Sequence, residues 1–130
     1  NALGIDELII SSDCADIYNR RTVRAAMGAL FRQKITVCSD IPSAVEALRK
    51  NGYRVNAASL SGNPMRLTDM NIDSSDCFLV GNEGHGLSED LIGICDRSVI
   101  IPMREESESL NAAAAAAILM WETGKRSWIL

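Results

Sequence analysis

Apolar residues along this chain gather in short runs broken by glycine, proline and polar clusters, and stretches between the runs repeat their apolar residues every three or four positions. The short runs predict strands over residues 7–11, 35–38, 53–59, 77–80 and 98–101. Helical spacing puts Val23, Ala26, Met27 and Leu30 on one face of a helix over residues 22–30. Pro42 suits the first turn of a second helix that Ser39 or Asp40 caps, running to Lys50, where Asn51-Gly52 stops it. Ser88 caps a short third helix: its hydroxyl accepts from free backbone N–H groups, and Glu89 and Asp90 complement the positive helix end. The strongest helical stretch is 109–123, with six consecutive alanines, and Gly124, Lys125 and Arg126 supply a stop and terminal positive charge. Two segments are less regular. Residues 61–76, with Gly62 and Asn63-Pro64, predict an irregular connection holding at most one helical turn. The opening NALGID reads as a helix end turning through Gly4 into a strand.

Strands alternating with helices at this spacing predict an α/β fold, with a largely parallel sheet covered by helices on both faces. A length of 130 residues at 47% hydrophobic content suits a single domain spanning 1–130. The net charge of −4 argues against a domain that holds a polyanion through a broad basic surface, so any RNA contact must be local or shared. Arg20, Arg21, Arg24 and Arg32 are the local candidates, although any one such charge is more often a solvated helix residue. Cys14, Cys38, Cys77 and Cys95 are widely spaced and form neither a CxxC pair nor a zinc-ligand pattern with His85, so no metal is expected. Free cysteines beside apolar runs point to a reduced, cytoplasmic protein. No apolar run approaches the ~18 residues of a membrane span.

Two loops hold the candidate chemistry, because each follows an apolar strand and precedes a helix, where ligands bind in open α/β sheets. In the first, Gly81, Gly84 and Gly86 match neither the dinucleotide fingerprint nor a phosphate loop. They do permit a sharply turned backbone that approaches a flat ligand closely, with Glu83 as an acceptor. By spacing alone Glu83 is more often a loop-stabilising carboxylate than a catalytic one, and His85 more often an exposed loop residue than a base. The second loop runs from Ile101-Pro102-Met103 to Ser109-Leu110-Asn111 and combines an apolar wall with polar groups. Ser109 and Asn111 fit helix capping as well as they fit a functional role.

LVGNEGHGLS, followed after a short helix and strand by IPMREESESLNAAAAAAI, closely resembles the paired C-terminal motifs of the SpoU/TrmH family of RNA ribose 2′-O-methyltransferases, in the SPOUT superfamily. RRTVRAAMGALFR resembles that family's scaffold helix, and NALGID the segment after its first motif. The resemblance implies a deep C-terminal trefoil knot, a homodimer, and S-adenosylmethionine as the donor for methylation of tRNA or rRNA. It implies backbone contacts to the adenosine at Gly81, Ile101 and Leu110, with Met103 lining the pocket and Gly86 in the cofactor loop. Glu83, Ser109 and Asn111 take the catalytic positions, Asn111 foremost. The family's first motif, Asn-x-Gly-x-x-x-Arg, would precede Asn1, so the chain is expected to be N-terminally incomplete, and Glu105 stands where the family carries glycine. A non-catalytic knotted module for dimerisation or RNA association is the alternative.

Overall fold

Parallel strands need a crossover between them, and the alternation read from the sequence supplies one each time. The computed structural model describes residues 1–82, 84–104 and 110–125. Every strand ladder within them is parallel. β1 (Glu7–Ser11) pairs with β2 (Lys34–Cys38) in a two-stranded sheet. A second, four-stranded sheet centres on β3 (Arg54–Ala58), flanked by β5 (Asp76–Leu79) and β6 (Arg97–Ile100), with the two-residue β4 (Met65–Arg66) outside β6. The helices are α1 (Arg20–Ala25), α2 (Ile41–Lys50), α3 (Glu89–Ile94) and α4 (Ala112–Gly124). This is an α/β architecture of parallel sheets and helices, and β1, β2, α2 and α3 lie where the sequence places them, within a residue or two.

Side chains alternate across a strand, so burial of consecutive residues means that both faces are covered. Val55, Asn56 and Ala57 of β3 are all buried. One face meets α4: Leu119 packs with Leu67, Ile72 and Val99, and Ala58, Phe78 and Ile101 join the cluster. A polar lattice closes the amino ends of the strands. Arg54 donates through Nε and Nη2 to the Asp76 carboxylate at 3.0 and 2.7 Å, and pairs with Asp73 at 2.8 Å. Asn56 Nδ2 donates to Asp76 Oδ1 at 3.0 Å, and the Asp73 N–H donates to Oδ2 at 2.9 Å. Burial opposes ionisation of Asp76, yet these donors outweigh it and hold its pKa at about 2. Nearby, Asp96 accepts from Arg49 and from the Val55 N–H.

Three expectations need correction. The helix expected over 22–30 stops at Ala25, because Met27 (φ 47°) and Gly28 (φ 81°) are both left-handed; a 3₁₀ turn at Ala29–Phe31 follows. Met27 therefore leaves the apolar face and is 88% exposed. Gly124 does not end α4 by a left-handed turn, since Lys125, the capping residue, is right-handed. It is glycine because a Cβ would overlap the backbone carbonyl of Leu3. The opening residues form a turn closed by Gly4 N–H to the Asn1 carbonyl at 3.1 Å, where a helix end was expected. Within the connection 61–76, the predicted single turn is the 3₁₀ helix Leu67–Asp69, but β4 beside it was not anticipated. Arg126 lies outside the described residues.

Candidate functional site

Because β5, β3 and β6 are neighbours and parallel, the loops that follow them emerge side by side at one end of the sheet. Outer strands β5 and β6 stand about 10 Å apart, two interstrand spacings. The polar lattice occupies the opposite end and leaves the carboxyl ends to the loops.

The loop after β5 is tied to itself. Asn82 Oδ1 accepts from the N–H groups of Gly84 and His85 at 2.9 and 2.8 Å, and the Gly86 N–H donates to the Asn82 carbonyl at 3.0 Å. This asparagine turn is the local device that folds the glycine segment. Gly86 is left-handed at φ 65°. A Cβ on Gly81 would overlap the Gly86 carbonyl and sit 2.8 Å from the Leu87 nitrogen, all backbone atoms, so only glycine fits. Gly81 and Gly86 are thus brought into contact, and His85 is an exposed loop residue. Glu83 lies outside the described residues. Ser88 then caps α3, its Oγ accepting from the Leu91 N–H at 3.3 Å.

The loop after β6 begins with half-buried Ile101, Pro102 and Met103. Its segment 105–109, which contains Glu105 and Ser109, lies outside the described residues. Leu110 follows at 38% exposure, and Asn111 caps α4, its Oδ1 accepting from the Ala114 N–H at 2.7 Å. Capping, one of the two roles the sequence allowed Asn111, is therefore realised, and its amide Nδ2 has no partner among the described residues.

The loop after β3 was not singled out by the sequence pattern, although the central strand places it between the other two. The Ser59 N–H donates to the Val99 carbonyl at 3.2 Å, Ser59 Oγ accepts from the Ser61 N–H, and Ser61 Oγ donates to Glu89 Oε1 at 3.0 Å. Leu60 is left 61% exposed between these tethered serines. Its only signal in the sequence was a Ser-Leu-Ser-Gly stretch directly after a strand.

A depression of about 380 Å³ beside the loops is lined by Leu67, Thr68, Ile101, Pro102, Ile118 and Glu122, among others. Of the residues predicted from the sequence, only Ile101 reaches it, so it borders the loop cluster without being its centre. Burial pushes the Cys77 and Cys95 thiols up, which removes them as thiolate nucleophiles. Among the described residues no cluster of metal-ligating side chains occurs, and no helix is long and apolar enough to cross a membrane.

The model of the SpoU rRNA Methylase family matches residues 1–121. The 23S rRNA (guanosine(2553)-2′-O)-methyltransferase RlmP of Bacillus subtilis is 35% identical over 124 residues, covering 93% of this chain and 48% of the relative. The SpoU methyltransferase AviRb from Streptomyces viridochromogenes, in complex with the cofactor AdoMet, superposes with a TM-score of 0.82 at 31% identity, covering 97% of this chain and 51% of that one. The AdoMet-bound rRNA methyltransferase from Sinorhizobium meliloti gives 0.87 at 28% identity, with 99% and 49% covered. The chain thus spans about half the length of the relatives it matches.

Proposed function

The chain belongs to the SpoU rRNA methylase family, and from that premise we propose that it is the catalytic domain of an S-adenosylmethionine-dependent methyltransferase acting on a ribose 2′-hydroxyl in tRNA or rRNA. The observation that carries the reading is the convergence of the family's two motif loops on the carboxyl ends of β5 and β6, the parallel strands that flank β3 in one sheet. That is where an α/β sheet binds ligands.

The residues present fit the cofactor. Exposed Leu60 and Leu110 offer apolar surface to a purine. The Gly81–Gly86 contact leaves no side chain at those two positions, so backbone groups there can approach an adenosine. Gly81, Ile101 and Leu110 would hold the adenosine through backbone atoms, with Gly86 in the same loop and Met103 on the wall. When bound, the cofactor supplies an electrophilic methyl group on a sulfonium. Displacement at that methyl must be in line, so the protein gains rate by fixing the hydroxyl against it and removing the hydroxyl proton. Asn111, its Oδ1 engaged by Ala114, retains its amide Nδ2 to donate to an oxygen of the ligand or ribose. Glu83 and Ser109 take the remaining catalytic positions by their place in the motifs. A 2′-hydroxyl also marks RNA against DNA. A deep trefoil knot in the C-terminal half, a homodimer and a cytoplasmic location complete the proposal, with residues 1–130 forming one domain.

Calorimetric titration with S-adenosylhomocysteine tests it. Wild type should bind with one site per chain and Gly81→Val should lose binding, because the collision there is with backbone. A chain that bound neither S-adenosylhomocysteine nor S-adenosylmethionine while folded would end this reading.

A further inference from the structure

We propose that the segment from Tyr18 to Arg32 is a docking surface for an unpaired RNA strand, distinct from the loop cluster that would hold the methyl donor. The inference rests on the RNA-methylase reading for its choice of partner, and on the surface itself for its location. Residues 18–32 carry Arg20, Arg21, Arg24 and Arg32 and no carboxylate, in a chain whose net charge is −4. None of the four arginines makes an ion pair among the described residues. Of the other described basic side chains, Lys34, Arg49, Lys50, Arg54 and Lys125 each pair with an acid, while Arg66, Arg97 and Arg104 make no ion pair among the described residues and stand apart from one another in sequence. Four of the seven described arginines without an ion pair therefore lie in this one short segment, against the negative balance of the whole protein.

α1 buries none of its residues, which makes it a poor candidate for a core element and leaves its surface open. Arg20 and Arg24, four apart, share one helix face. Around them stand three large apolar side chains turned to solvent: Tyr18 at 68%, Met27 at 88% and Phe31 at 75% exposure. Met27 is held there by a left-handed backbone that a β-carbon disfavours. Guanidinium groups that match phosphate oxygens, interleaved with exposed aromatic rings on which bases stack, are what an unpaired strand requires of a protein surface. Duplex RNA would leave the rings unused, since its bases are already stacked.

A second copy of the chain is the competing occupant, and the charges disfavour it. A two-fold interface sets a patch against itself, which here would bring arginines against arginines without an acid to separate them.

Fluorescence anisotropy with a fluorescein-labelled single-stranded RNA oligonucleotide, repeated across a salt series, provides the test. Substituting Arg20, Arg21 and Arg24 together by Gln should weaken binding at least tenfold. It should also flatten the dependence of log affinity on log salt by about 2, given roughly 0.7 per phosphate contact on a single strand. Phe31→Ala should weaken binding severalfold and leave the salt slope unchanged, because stacking releases no counterions. Circular dichroism should be unaltered in both variants. Unchanged RNA affinity in the triple variant overturns the proposal, as does a wild type that fails to bind RNA. So does a triple variant whose sedimentation shifts while its RNA affinity does not, which would mark a self-association face. S-adenosylhomocysteine titration separates the two readings: the triple variant should bind it as wild type does. A wild type deaf to that ligand would sink the methylase assignment, while an arginine-dependent RNA affinity would still establish the surface.

Discussion

The two sheets share parallel pairing but differ in what covers them. In the β3-centred sheet consecutive residues are buried, a polar lattice seals the amino ends, and three loops are presented at the other end. In the β1–β2 sheet Leu8, Ile9 and Val37 remain 37%, 40% and 61% exposed, and the crossover helix α1 buries nothing. Stability is thus concentrated in one sheet, and the other is carried as an open flank with apolar and basic groups available for contact. A two-stranded sheet is marginal by itself, so the β1–β2 sheet depends on the β3-centred one.

The contrast can be broken by mutation. Leu119→Ala should have the largest effect, about 2–5 kcal/mol, since it empties the cluster between α4 and the four-stranded sheet; urea unfolding reads it, and a cost near that of an exposed site would mean that the core lies elsewhere. Next comes Asp76. Its folded pKa lies below the ordinary carboxylate value, so the stability it contributes is full above about pH 4 and is lost as pH falls toward 2. The amount is about 2 kcal/mol, and Asp76→Asn should flatten the acid limb of a stability–pH profile by that much. An unchanged limb would show that the lattice adds nothing. Smallest is Val37→Ala on the open flank, expected within about 0.5 kcal/mol of wild type. A larger loss would reveal that something covers β2 in solution.

How much of this was legible in the sequence follows the range of the forces involved. Local devices read well: Asp40 accepting from the Ser43 N–H, Pro42 in the first turn, and Ser88 capping α3 are contacts within a few residues. The sharp turn of the glycine loop also read well: Gly81 answers to the close approach of the Gly86 carbonyl, and Gly86 to its left-handed backbone. The helix over 22–30 failed at Met27, where a correct apolar spacing was overridden by two left-handed residues that no periodicity registers. β4, only two residues long, has no period to detect. The Ser59–Ser61 loop was missed for a different reason. Its importance comes from β3 lying between β5 and β6, an order decided by pairings across some twenty to forty positions of chain. Asn111 stands between these cases, legible both as a cap and as a functional group, with only the cap visible in a single chain.

The backbone contact between Gly124 and Leu3 joins residues at nearly opposite ends of the described chain. Synthesis runs from the amino end, so Leu3 must wait for this contact until the last turn of α4 has emerged, with the ties of Asn1 and Ile5 to Arg32 and Gln33 already available. A seam that closes so late belongs to the final stage of assembly, and what it governs is how slowly the finished protein comes apart more than how fast it forms.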